Sequence, residues 1–231
     1  MKTGRIPGKI ALLAVLLLLL TACAPKTGRV TNEQLLALRE TYPLHNTVSV
    51  IGDSDYSRFQ TWKEIEAFRY HAALELELTG DWTEKAIASG PFEDEAVNEA
   101  IGMTQVVGIL HRAKVRRVLW GGEELQKGDE ITLIFGSTIV MNTPFLEEVF
   151  RPGQRYVCLV NDSRGSDFGV DDLYAVGFNG TYYVSDDGAV VSVTDNIRCL
   201  ASCSGMYMDT FAETLQTSLP ARPDVEGPET E

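Results

Sequence analysis

Hydrophobic and polar residues are strongly segregated along this chain. Residues 10–20, IALLAVLLLLL, hold no polar side chain. Further on, ALELELTG (73–80) alternates strictly, with Leu74, Leu76 and Leu78 on one face and Glu75 and Glu77 on the other. A period of two predicts a strand with one wet face, ended by Gly80. Two capping boxes, Thr31-Asn32-Glu33-Gln34 and Thr61-Trp62-Lys63-Glu64, each open a short helix. The first should run to about Arg39, and the second should turn Ile65 and Phe68 inward. TVSVIG (47–52) reads as a strand, and Asp94 to Ile101 as a helix. From residue 104 the pattern is almost all β. TQVVGILHRAKVRRVLWGG is a long strand or a bent pair ending at Gly121-Gly122. KGDEITLIFG turns at Gly128-Asp129 into a strand from Glu130 to Phe135, and RPGQRYVCLVN turns at Pro152-Gly153 into a strand reaching Val160. LYAVGF, TYYVS and AVVSV are three short strands joined by Asn179-Gly180 and Asp186-Asp187-Gly188, residue types that accept the positive φ of tight hairpins. DTFAETLQTSL sets Phe211, Leu215 and Leu219 on one helical stripe. PARPDVEGPETE should be a disordered acidic tail, 220–231.

Composition narrows the class. The 231 residues are 44% hydrophobic and 23% charged, as in ordinary globular proteins. Lys and Arg number 20 against 33 Asp and Glu, a net charge of −13. Three of the basic residues, Lys2, Arg5 and Lys9, precede the apolar run; without them 17 basic face 33 acidic residues, or −16. So acidic a body is repelled by nucleic acid, which excludes that partner.

The apolar run is informative through its length and its end. Eleven residues rise about 16 Å as a helix, well short of a bilayer core of about 30 Å. A basic start followed by a short apolar stretch is an export signal rather than a span. Leu20-Thr21-Ala22-Cys23 then resembles the bacterial lipobox. That resemblance covers residues 1–23. It implies that 1–22 are removed, that Cys23 becomes the lipidated first residue, and that the protein is anchored at the extracytoplasmic face of a cell membrane. Residues 23–30 would then be a tether. Cys158, Cys199 and Cys203 remain. Cys199 and Cys203 are a possible disulfide in an oxidising compartment, and Cys158, mid-strand, reads as a buried thiol.

Candidate chemistry is sparse. Gly52-Asp53-Ser54 after an apolar strand resembles the nucleophile block of the Gly-Asp-Ser hydrolases. Those enzymes take their base from an Asp-x-x-His near the C-terminus, whereas the histidines here are His45, His71 and His111. A serine hydroxyl without an imidazole is a poor nucleophile, so Ser54 is the alternative reading and no catalytic residue is assigned. NDSRGSDFGVDD offers Asp162, Asp167, Asp171 and Asp172 as hard oxygen donors, but their spacing matches no calcium loop, and no metal or cofactor is expected. HRAKVRR (111–117) is a basic island that reads as the wet face of a strand.

Residues 72–219, through VLWGGEELQKGDEITL, RPGQRYVCLV and YVSDDGAVVSV, resemble a β domain found in small bacterial surface lipoproteins. The resemblance implies an α+β, mainly β fold: a small antiparallel OB-like barrel or meander, with short flanking helices and a C-terminal helix. It is similar also to the inhibitory domain of tissue inhibitors of metalloproteinases. Those act through an N-terminal Cys-x-Cys; here Cys23 is followed by Ala24-Pro25, so that mechanism is not carried over. A helical region, 31–71, should pack on the β body. The function expected is a non-catalytic binding module, held to the membrane through its N-terminal lipid and meeting an envelope protein or wall polymer. The alternative is a cell-envelope serine hydrolase using Ser54.

Overall fold

The computed structural model describes residues 26–45, 60–66, 70–80, 82–87, 106–136, 143–151, 153–164 and 170–219. The expected strand 47–52, helix 94–101 and tail 220–231, together with Cys23, Ser54, Phe68 and Asp167, lie outside the described residues. The elements are α1 (Asn32–Thr41), α2 (Trp62–Ile65), β1 (Ala72–Leu78), β2 (Thr83–Ile87), β3 (Val106–Gly121), β4 (Glu130–Gly136), α3 (Thr143–Val149), β5 (Arg155–Asp162), β6 (Leu173–Val184), β7 (Val190–Ser192), α4 (Arg198–Ala201) and α5 (Met208–Ser218). The protein is mainly β with a few short helices.

The strands form one sheet in the order β1-β5-β6-β4-β3-β2, with β7 beside β6. β1 also pairs with β3, so the path β1-β5-β6-β4-β3 leads back to β1. This order is not sequential, which replaces the expected meander. All pairings are antiparallel except β4 with β6, which is parallel over three residue pairs.

Strand β3 is a single strand of 16 residues, not a pair. Its first part faces β2 and β4, and its second part faces β1. Two register shifts against β1 leave Arg116 and Leu119 as extra residues. Bulges of this kind bend a strand and sharpen its twist, which lets one strand serve both sides. β6 likewise runs unbroken through Asn179-Gly180, where a hairpin was expected. Its pairing with β5 jumps from Cys158↔Thr181 to Val160↔Val176, so these turn residues form a bulge inside one strand. Thr181 Oγ1 donates to the Gly177 carbonyl at 2.9 Å and closes that bulge. The second expected hairpin is present: β6 and β7 reverse at Asp186-Asp187-Gly188, with Gly188 at φ 89°.

The body has two cores, one on each face of the sheet. Leu74, Leu76, Ala113, Val115, Leu133, Phe135, Tyr156, Cys158 and Tyr183 line the first, plugged by Leu146, Val149 and Phe150 at α3. Ala73, Leu119, Val157, Leu159, Tyr182 and Val184 line the second, covered by α2, α4 and α5. This explains why YVCLV in β5 is continuously apolar: alternate residues enter different cores. It also corrects the wet face expected for β1. β1 is paired on both sides, and Glu75 is buried at 8% exposure, its Oε1 accepting from Arg155 Nη1 at 2.9 Å.

α5 packs as its stripe predicted, with Phe211 and Leu215 fully buried and Leu219 at 5% exposure. Burial of each large side chain contributes about 1.5–3 kcal/mol. Both capping boxes form as read, and Ile65 is fully buried. The expected tether, however, is docked from Gly28. Gly28 N donates to Thr210 Oγ1 at 2.7 Å, Tyr207 N to the Gly28 carbonyl at 3.0 Å, and Val30 N to the Gly205 carbonyl at 2.9 Å. Arg29 forms a bridge with Met206, and its guanidinium donates to the Ser202 and Ser204 carbonyls. Among the described residues, no helix is long and apolar enough to cross a membrane.

Candidate functional site

A group of titratable side chains assembles where β1 begins, β3 ends, β5 ends and β6 begins. Its geometry starts with Gly121 and Gly122, both in left-handed backbone at φ 60° and 59°. A side chain at Gly121 would overlap the His71 carbonyl, so this close approach requires glycine. The chain then turns, with Leu125 N donating to the Gly122 carbonyl, and sets Glu124 beside His71. His71 Nε2 donates to Glu124 Oε1 at 2.6 Å. Arg164 shares that oxygen and bridges to Asp162, its Nη2 at 2.8 Å from Glu124 Oε1 and 2.6 Å from Asp162 Oδ2. Asp162 Oδ1 also accepts from the Arg164 backbone N–H at 2.9 Å. The guanidinium stacks 5.4 Å from the Tyr174 ring, and Tyr174 Oη donates weakly to Glu124 at 3.5 Å.

The charges follow this geometry. The Arg164 hydrogen bond holds the Asp162 carboxyl below its usual range. Burial pushes Glu124 up, but its bonds from its own backbone N–H, from His71 and from Arg164 outweigh this and leave it lowered. Arg164 is held more firmly protonated by Asp162. Burial pushes the Tyr174 hydroxyl up to about 12. Glu124 and Asp162 are therefore held ionised beside the Arg164 guanidinium, in a network of half-exposed groups.

His71, Glu124 and Asp162 place three ligand atoms within 4.8 Å of one another. A divalent cation could in principle use such a nitrogen and two oxygens. Here the Arg164 guanidinium already takes the position between the carboxylates and supplies the positive charge. Of the calcium donors read from the sequence that are among the described residues, Asp162 belongs to this group, whereas Asp171 and Asp172 sit in an exposed turn, Asp172 at φ 53°.

A second charged feature runs over β1, a shallow cleft of about 440 Å³ lined by Glu75, Glu77, Arg116, Lys127, Gly153 and Arg155. Four of its charges are paired, Glu75 with Arg155 and Glu77 with Arg116, and Lys127 adds a further positive charge.

A scan against protein-family models and a search of curated proteins return no match. The chemistry must be read from the side chains themselves.

The histidines are dispersed. His45 is anchored by its backbone N–H to the Val193 carbonyl, and burial lowers its basicity. His111 is buried in β3, its Nδ1 donating to the Arg112 carbonyl at 2.7 Å, with Trp82 packed edge-on at 4.4 Å. The basic island splits as a strand face should: Arg112, Arg116 and Arg117 are exposed, whereas Ala113 and Val115 are buried. Cys158, Cys199 and Cys203 are buried free thiols in this structure, with Cys199 and Cys203, the possible disulfide, unbonded. Cys203 Sγ instead faces the Cys199 carbonyl at 3.7 Å, one helical turn back. Burial pushes Cys158 and Cys203 up to about 12 and also raises Cys199. Thiols held so far above neutrality carry almost no thiolate.

Sequence reasoning did not find the network. Its members stand at 71, 124, 162, 164 and 174, and no local motif joins them. The Gly121-Gly122 pair was the available signal, because two adjacent glycines at a strand end mark close backbone approach.

Proposed function

We propose that the protein is a lipid-anchored, non-catalytic interaction module at the extracytoplasmic face of a cell membrane. Its body is an OB-like barrel, and its partner is an envelope protein or wall polymer. The ring of five strands, filled by one core and backed by another, supports the barrel reading. The lipobox-like Leu20-Thr21-Ala22-Cys23 supports the anchor.

The observation that carries the binding reading is the state of the reactive groups. Among the described residues the thiols are buried, and the acid and base groups around His71 are tied together by Arg164. Such a network orders the connections at one end of the strands and presents charge without a nucleophile. Ordered, half-exposed Arg and acidic groups beside an aromatic ring suit recognition at a polar surface. A photo-cross-linker placed at Glu123, an exposed neighbour of the network, tests this in cells that make the protein. One discrete adduct, lost on Arg164→Glu, is the expected result. Fluorophosphonate labelling that disappears in Ser54→Ala would instead establish the hydrolase reading.

A further inference from the structure

We infer that the face around Lys26, Asp187 and Tyr207 rests on the lipid surface, so that the His71–Glu124–Arg164 end points away from the membrane. The inference rests on acylation of Cys23, and it follows from how little chain is left for a tether. Lys26 is three residue steps from Cys23, and Gly28, the first residue with backbone bonds to the body, is five. Fully extended, five steps reach at most about 18 Å. A body of about 200 residues has a radius of gyration near 16 Å and is about 40 Å across. The tether therefore reaches less than half the width of what it holds, and only the face where the chain emerges can lie at the headgroups.

That face suits the position. Lys26 Nζ lies 3.4 Å from Asp187 Oδ2 and 5.5 Å from the Tyr207 ring centre, and Arg117 Nη2 lies 2.6 Å from Asp209 Oδ1. These groups, with Gly188 and Met208, line one shallow depression. Lys26 and Arg117 balance Asp187 and Asp209, so the depression is neutral on a body whose mature charge is −16. A neutral patch approaches an anionic surface without the repulsion that the rest of the body meets. Tyr207 and Met208, both half-buried, add apolar contact beside polar groups. The network lies at the other end of β6. Tyr174 is close to its start, whereas Asp187 follows its last residue. Along the paired strand β5 the same ends are Asp162 and Arg155, seven residue steps or about 23 Å apart.

The test uses the full acylated chain in vesicles of zwitterionic and anionic phospholipid containing a headgroup-attached spin label. Asp186→Cys and Glu123→Cys each receive a fluorophore; the three native thiols are buried. Flotation with the vesicles, lost in Cys23→Ala, is expected, and failure to float would overturn both the anchor and this inference. With the protein floating, the label at 186 should lose fluorescence to the spin label and the label at 123 should not. Equal or reversed quenching would overturn the orientation and leave the anchor standing. An insertion of about ten Gly and Ser residues between Pro25 and Lys26 should relieve quenching at 186 while the protein still floats. Persistent quenching would contradict control by tether length.

Discussion

Gly121 shows how one residue positions the candidate site. Its positive φ and the contact that a side chain would make with the His71 carbonyl leave no room for alanine. Gly121→Ala should cost about 1–3 kcal/mol, the usual range for forcing a non-glycine residue into left-handed backbone. Urea unfolding measures it, and an unchanged midpoint would mean that β3 does not end against His71. Arg164 acts through charge. Asp162 and Glu124 are lowered from their ordinary 3.8 and 4.5. Their pairing therefore contributes fully above those values and is lost as the pH falls through the lowered ones. Exposed pairs are worth about 0.2–1 kcal/mol, so Arg164→Gln should change neutral stability little. It should flatten the loss of stability between about pH 5 and pH 3. An acid slope as steep as in the parent protein would show that the network does not hold these carboxylates.

At the scale of elements, α5 has the clearest energetic role. Leu215 is fully buried in the second core beside Phe211, whose ring lies 4.9 Å from that of Tyr182. Leu215→Ala should cost about 2–5 kcal/mol, from lost transfer energy and the cavity left behind. A drop below about 1 kcal/mol in urea unfolding would mean that the helix only leans on the sheet. The same scale shows what could be read in advance. Capping boxes, the α5 stripe and the Asp-Gly hairpin are local signals, and each appears where its residues place it. β1 misled because alternation reports side-chain polarity, not burial; Glu75 is alternating yet covered, with Arg155 as its partner. Asn179-Gly180 misled because a bulge and a hairpin ask for the same residue types. The helix α3 gave no sign in the sequence reading, although Phe150 at its end closes the first core.

For the whole molecule, closure of the strand path and assembly of the network both depend on register between segments far apart in sequence. β1 pairs with residues 113–121 on one side and 155–160 on the other. No periodicity within one segment encodes those pairings, which is why the network was invisible beforehand while the β character was plain. The anchor stands the other way round, a purely local signal in residues 1–23. The most direct test of the account is the chemical state of the N-terminus in protein extracted from its native membrane. Mass spectrometry of the first peptide should find residues 1–22 gone and Cys23 leading, its mass raised by a lipid. A retained leader, or a mature chain that begins elsewhere or carries an unmodified Cys23, would contradict the account.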